Sequence, residues 1–346
     1  MPATYKNGKT VIKWSSFPQS SLLLRLENGR ATLAPAEKED LGELSYLPNE
    51  AALILDEPNA CVLDMAEWKI DDGEWQAEEE NLRLCVKAKE MLGFSTDAVH
   101  GAQPWVVEKV EAKNTITTKM TFVSDVEVEN AVLALEDFDV SEITFNGKKL
   151  EKADLGYYVD FSITKTPLGT INKGENVIEI TKPFTVVSNV ENVFVLGDFG
   201  VEVNGTAVKI IEPKKTIRIG DVTRQGFPFY GGALTYRFKL DGGKNTKVRL
   251  GLFAAPCVVA DLDGMRVANV SLAPYEADLG QLSEGEHTLD LKVYLSRINT
   301  FGALHHSNYS CKWFGPDGWY SENEYWSYEY RITPDGLLTA PRIFTK

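Results

Sequence analysis

Long apolar runs are missing from this chain of 346 residues. No stretch approaches the ~20 residues of a membrane-spanning helix. The polar opening, Met1–Thr10, lacks the apolar centre of a secretory signal. Positive charge is scarce too, with 36 Lys and Arg against 50 Asp and Glu and a net charge of −14. That balance argues against a nucleic-acid backbone or an anionic membrane as partner and is compatible with a neutral ligand such as a sugar. Cysteine is sparse: Cys61, Cys85, Cys257 and Cys311, with no pair at metal-site spacing. Cys61 and Cys257 sit in apolar, strand-like runs and are expected as buried free thiols, which favours a cytoplasmic setting over a disulfide-bonded one. Catalytic signatures are absent as well. There is no Gly-x-Ser-x-Gly elbow. Gly231-Gly232 lacks the Lys and Ser or Thr of a phosphate loop. Strands and helices do not alternate eight times, as a barrel requires.

What the chain does contain is a repeat. Glu142–Lys149 carries Asn146-Gly147, and Lys173–Ile180 carries Gly174-Glu175 before an alternating strand. Later, Val258–Val267 carries Asp263-Gly264, and Glu284–Leu291 carries Gly285-Glu286 before another. Asn-Gly and Asp-Gly favour two-residue hairpin turns, so each half reads as one copy of the same β unit. Hydrophobic residues make up 43 %, enough for real cores, and the length suits two or three domains.

Three regions follow. Residues 1–105 read as a small mixed unit, either an incomplete module or a linker packed on its neighbours. It has strand-like runs at Ser21–Leu26, Ala51–Leu55 and Ala60–Met65, and a helix over Glu78–Leu92 stopped by Gly93. Residues 106–212 form the first β unit, with strands at Thr115–Val123, Asn130–Leu135, Val177–Ile180 and Val193–Leu196. Residues 213–346 form the second, with Leu234, Tyr236, Phe238 and Leu240 on one strand face. It also has strands at Lys247–Leu252, Thr288–Leu295 and Tyr325–Tyr330, and a tail over Leu337–Ile343 that packs back on the body. Many short strands separated by turns indicate β-sandwiches.

The turns carry a resemblance. Phe145-Asn146-Gly147, Gly156–Asp160 and Gly174-Glu175-Asn176 resemble the galactose-binding-like jelly roll, specifically the sugar-binding domain of family-2-like glycoside hydrolases. Asp263-Gly264, Ala273–Asp278 and Gly285-Glu286-His287 resemble it again, with Asp263 for the expected Asn and His287 where the first unit has Asn176. Gly220–Gly232, Asn299–His306 and Trp313–Asp317 are similar to C-terminal parts of large bacterial proteins related to glycoside hydrolases, some rhamnosidase-like. The resemblance implies an all-β chain: tandem galactose-binding-like jelly-roll β-sandwiches behind a small mixed N-terminal region. It implies an accessory region that binds carbohydrate or positions substrate, with the remaining domains of a larger enzyme as partners. It implies no cofactor. Jelly rolls of this kind often hold a structural calcium ion, yet no acidic loop here matches a calcium pattern.

Candidate site residues fall in three places. The aromatic segment offers His305, His306, Trp313, Asp317, Trp319 and Tyr320, since rings can lie under sugar C–H faces while polar groups take the hydroxyls. These rings either contact a ligand or plug the sandwich end. His305 and His306 are adjacent and point opposite ways in an extended chain, so they do not share one metal ion. The joining stretch offers Arg224, Gln225 and Tyr230, facing a ligand or clamping the two units. The loop of the first unit offers Tyr157 and Asp160. Two further readings stand beside sugar binding. One is a purely structural interdomain or oligomerisation module. The other is a stand-alone hydrolase, for which Glu322, Glu324 and Glu329 are the carboxylates lying among aromatics.

Overall fold

The structure, a computed structural model, describes residues 3–12, 22–25, 42–96, 110–308 and 323–346. Alternation decides its architecture. In Ala233–Asp241 the side chains of Leu234, Tyr236, Phe238 and Leu240 are buried, while Arg237, Lys239 and Asp241 are exposed. A strand patterned this way must press one face on a second sheet. The result is two β-sandwiches.

In the first, one sheet runs Lys148–Lys149, Glu142–Phe145, Gly174–Phe184, Asn114–Ser124, Ala207–Ile211 and Gly200–Asn204, with Met65–Ile70 added beside Asn114–Ser124 and Gln76–Glu80 beside Met65–Ile70. The other runs Tyr157–Tyr158, Asp160–Ile171, Val128–Leu135, Val193–Gly197 and Asn59–Leu63. Ile116, Met120 and Ile178 from one sheet and Leu133, Val195 and Ile171 from the other share one core. The second sandwich opposes a six-stranded sheet, centred on Ala233–Asp241 and Glu286–Tyr294, to a four-stranded one containing Asn245–Arg249 and Arg342–Thr345. Each fully buried Leu, Ile or Phe in such a core contributes about 1.5–3 kcal/mol.

The repeated turns behave as their chemistry dictates. Asn146 and Gly147 have φ of 49° and 75°, and Asp263 and Gly264 have 49° and 81°. Both pairs make the doubly left-handed turn that suits a twisted hairpin. The side chains then repeat a bond. Asn146 Oδ1 accepts from the Val177 amide at 2.8 Å, and Asp263 Oδ1 accepts from the Thr288 amide at 2.8 Å. Beyond that, Asn146 Nδ2 donates to Asn176 Oδ1 at 3.0 Å, whereas Asp263 Oδ2 meets His287 Nδ1 at 2.6 Å. The two departures from the repeat are therefore one reciprocal change: an amide–amide pair in one unit and a carboxylate–imidazole pair in the other.

Asn176 is buried and its amide makes four bonds: with Asn146, with the Asn172 amide and carbonyl, and with the Gly174 carbonyl. Asn176→Ala strands these groups, and we expect it to cost about 2–4 kcal/mol in denaturant unfolding. An unchanged midpoint would show that the turn is held by its backbone alone.

Several sequence expectations change. Within residues 1–105, the strands of 43–80 are distributed between the two sandwiches. Glu43–Tyr46 pairs with Arg342–Thr345 and Glu50–Leu55 pairs with Ala233–Asp241 in the second. Asn59–Leu63 pairs with Val193–Gly197 in the first. The chain crosses between them at Asp56–Pro58. Leu22–Arg25, expected in a strand, lies outside any, with Leu23 97 % exposed. Tyr325–Tyr330 is not a strand either. It holds only the isolated bridge Trp326↔His306 and then runs irregularly. The helix spans Asn81–Met91, with Glu80 as its N-cap and Gly93 at φ 66° behind it. Cys61 is buried, as its run suggested, while Cys257 is only partly so; both are free thiols. Burial pushes the Cys61 thiol up to about 12 and so keeps it inert.

Candidate functional site

The joining stretch is built around a short turn. Val222–Gln225 is a 3-10 helix whose N-cap, Asp221, accepts from the Thr223 amide at 3.0 Å and its hydroxyl at 2.7 Å. Gly226 ends it at φ 106°, a conformation that favours glycine. Gln225 then works as a backbone clip: its Oε1 accepts from the Arg218 amide at 2.9 Å, and its Nε2 donates to the Arg218 carbonyl at 3.1 Å. This fixes Thr216–Arg218, an edge strand of the second sandwich, beside the turn that carries Arg224. Opposite lies Gly200–Asn204, an edge strand of the first. Between them is an open groove of about 1010 Å3. Lys214, Arg218, Arg224, Glu50, Glu202 and Asn204 give it polar walls, and Tyr330, Ile332 and Pro334 supply apolar surface.

Of the three candidates in this stretch, Arg224 and Gln225 reach the groove. The Arg224 side chain is 87 % exposed, with its Nε 3.6 Å from Asp221. Gln225 faces the groove, but its amide is occupied by the clip. Tyr230 does not face a ligand: it is buried, donates to the Ala233 carbonyl at 2.8 Å and accepts from the Asp56 amide at 3.2 Å. It belongs to the seam between the sandwiches. There Asn59 Nδ2 also donates to the Phe199 and Gly226 carbonyls at 2.8 Å each, and Arg297 grips Glu57 with two bonds of 2.6 and 2.8 Å.

His305 and His306 lie on the far side of Tyr330. Asp64, almost wholly buried, accepts from the Tyr330 hydroxyl and meets His305 Nε2 at 3.2 Å. His305 Nδ1 donates to the Ser327 carbonyl at 2.8 Å. Burial opposes charge on this imidazole, yet the Asp64 carboxylate prevails and holds its pKa above the usual value. His306 points the other way. Its Nδ1 accepts from the Asn308 amide at 3.1 Å, and burial with nearby Arg331 lowers its pKa. The two therefore do not converge on one ion, and among the described residues no group of three or more His, Cys, Asp or Glu has metal-site geometry.

Around this pair the aromatic segment closes on the helix. Arg83 stacks on Trp326 at 4.1 Å and is held by buried Glu79 at 2.9 Å; Tyr328 also donates to Glu79 at 3.3 Å. A cavity of about 80 Å3 remains, lined by Asp64, Glu80, Glu136, Glu191, Phe301 and His305 among others. That is room for a few water molecules. Burial pushes Glu80 and Glu136 up to about 7 and raises Glu191.

Tyr157 and Asp160 sit on an edge hairpin of the first sandwich. Tyr157 is half exposed and its ring lies 4.4 Å from that of Phe161, which is 83 % exposed. Asp160 is exposed and accepts from the Ser162 amide and hydroxyl at 2.8 Å each. Val159 between them has φ of 63°, an outlier for a β-branched residue. Trp313, Asp317, Trp319, Tyr320 and Glu322 lie outside the described residues; Glu324 and Glu329 are exposed. Sequence reasoning passed over Lys214, Arg218 and Phe161. The pattern Thr216-Ile217-Arg218, with only Ile217 buried, is the signal that would have turned Arg218 outward.

No family model and no curated protein matches the chain. Solved glycoside hydrolases are similar to it. The rhamnosidase of Novosphingobium sp. PP1Y is 15 % identical over 69 % of this chain and 23 % of its own, with a TM-score of 0.28. The β-D-mannosidase of Dictyoglomus thermophilum is 16 % identical over 69 % and 31 %, with a TM-score of 0.28. The exo-chitosanase CsxA of Amycolatopsis orientalis is 10 % identical over 69 % and 29 %, with a TM-score of 0.29. The chain thus spans less than a third of the length of each of these three enzymes. No helix among the described residues is long and apolar enough to cross a membrane.

Proposed function

We propose that this chain is a non-catalytic carbohydrate-binding or substrate-positioning region of a glycoside-hydrolase-like protein, with jelly-roll sandwiches whose sugar lies in the groove at their seam. One observation carries the reading. The groove presents charged and amide groups from both sandwiches, with an exposed Arg224, over the apolar surface of Tyr330, Ile332 and Pro334. Sugars need that combination: polar partners for hydroxyls and an apolar patch for C–H faces. The remaining domains of a larger enzyme would supply the chemistry.

A structural brace is the second reading. The seam bonds of Tyr230, Asn59 and Glu57 with Arg297 favour it, because they tie the sandwiches without needing any ligand. A stand-alone hydrolase is supported less, since the raised carboxyls Glu80 and Glu136 border a space sized for water.

A glycan array probed with the whole chain separates these readings. Binding is expected, and Arg224→Ala should weaken it roughly tenfold or more, the worth of a hydrogen bond to a charged group. Because Arg224 is exposed, the fold should be untouched. Binding lost instead in Tyr157→Ala or Phe161→Ala would move the site to the hairpin. Silence across a broad array would leave the brace.

A further inference from the structure

The groove gathers three cations on a chain of net negative charge, beside three acids, Glu50, Glu202 and Asp221. The whole sequence carries −14, yet Lys214, Arg218 and Arg224 converge on this one depression. Their pairing is incomplete. Among the described residues Lys214 and Arg218 form no ion pair, and Arg224 approaches Asp221 only through Nε, at 3.6 Å. The acidic residues of the groove match them in number, three against three, but pair with them poorly. Asp221 Oδ1 is already engaged by the Thr223 amide and hydroxyl and lies 3.3 Å from the Asp335 amide. Glu202 shares Lys209 at 3.7 Å. Glu50 is the cross-strand partner of Arg218, but the two make no ion pair.

The placement of the cations is also built in. The Gln225 clip on the Arg218 backbone locks the strand bearing one guanidinium to the turn bearing the other. Among the described residues Lys214 and Arg218 thus keep their charges unpaired, and guanidinium forks match carboxylates in two-point contacts. A neutral sugar would leave the charges of Lys214 and Arg218 without a counter-ion. Glu50 and Asn204, on the same walls, suit hydroxyls.

We infer that the groove takes an acidic sugar, with the uronate carboxylate held by Arg218 and Arg224 and supported by Lys214. This rests on the carbohydrate reading and narrows it to a substrate class. Lys214 contributes long-range attraction, so binding weakens as salt rises.

The test is titration calorimetry on the full chain with tetramers of galacturonate, mannuronate and glucuronate, each beside its methyl ester and its neutral hexose counterpart. Esterification removes the charge and nearly preserves the shape. At least one acid tetramer should bind, and its ester should bind roughly 10- to 100-fold more weakly, as should Arg218→Ala and Arg224→Ala. Thermal melts of both variants at the parent temperature would show that the fold is kept. If ester, neutral and acid forms bind alike and the variants bind as the parent does, the acidic-sugar inference is overturned while carbohydrate binding stands. If no tetramer binds and the glycan array is also silent, both fail together. Array binding confined to neutral glycans overturns only the inference.

Discussion

Replacing Asp64 by alanine is expected to lower the free energy of unfolding by about 3–5 kcal/mol. Asp64 follows the strand Asn59–Leu63 and is almost wholly buried. Its carbonyl accepts from the Asn81 amide at 2.8 Å, and its carboxylate takes the Tyr330 hydroxyl and His305 Nε2. The residue thus joins three stretches: its backbone holds the head of the helix, and its side chain holds the segment after Phe301 and the irregular run ending at Tyr330. Alanine leaves a buried imidazole and a buried phenol without their acceptor. Asp64→Asn keeps one acceptor and loses the charge, so a smaller loss of about 1–3 kcal/mol is expected. Tyr330→Phe removes a single bond to a carboxylate and should cost about 1.5–3 kcal/mol. Denaturant titrations of the three variants check the order. If Asp64→Ala costs no more than Tyr330→Phe, the network is not a keystone and the aromatic segment is held by ring packing alone.

What was legible in the sequence was local chemistry. Asn146-Gly147 and Asp263-Gly264 announce their turns because only a few residues accept two successive left-handed conformations. The alternation through Leu234–Leu240 announces a half-buried strand for the same kind of reason. Glu78–Leu92 reads as a helix within a few residues of its ends. What was not legible was who pairs with whom. Nothing in Glu43–Tyr46 says that its partner is Arg342–Thr345, and nothing in Ala51–Leu55 says that it joins a different sandwich from Ala60–Leu63. Long-range pairing depends on loop closure and on complementary faces, which no window of sequence contains.

The site shows the same division. His305 stood out as a ligand candidate because histidine beside aromatics is conspicuous, yet its ring is satisfied by Asp64 and Ser327. Tyr230 stood out likewise and proves to be a seam residue. Arg218 and Lys214 look like ordinary surface charges in the sequence. They acquire meaning only when their stretch and the edge strand Gly200–Asn204 of the other sandwich border one groove.

Titration of the buried carboxyls should make the protein more stable in mild acid than in mild alkali. Glu80 and Glu136 on the small cavity, and Asp335 beside Asp221, are each pushed up to about 7, chiefly by burial. In the unfolded chain they titrate near 4, so between about pH 4.5 and 7 the folded state holds protons that the unfolded state has released. Their contribution is fully present below the lower value and is lost as pH rises through the upper one. His305 acts in the same direction: its pKa is raised, so its pairing with Asp64 fades as pH climbs past that raised value. Glu79, Asp71 and Asp263 act oppositely, because their pKa values are lowered. Their contribution is lost only as pH falls below the ordinary carboxylate range. Stability should therefore peak near the ordinary carboxylate range, at about pH 4–5, and decline by on the order of 1–3 kcal/mol by about pH 8. Glu80→Gln isolates one of these shares. The Arg83 amide donates to Glu80 Oε2 at 3.1 Å, and a glutamine oxygen can still accept it, so the helix cap survives while the titration disappears. The variant's unfolding midpoint should be flatter between about pH 5 and 8 and should exceed the parent's at the alkaline end. A parent profile that rises with pH across that window would refute the assignment of these carboxyls as protonated in the fold.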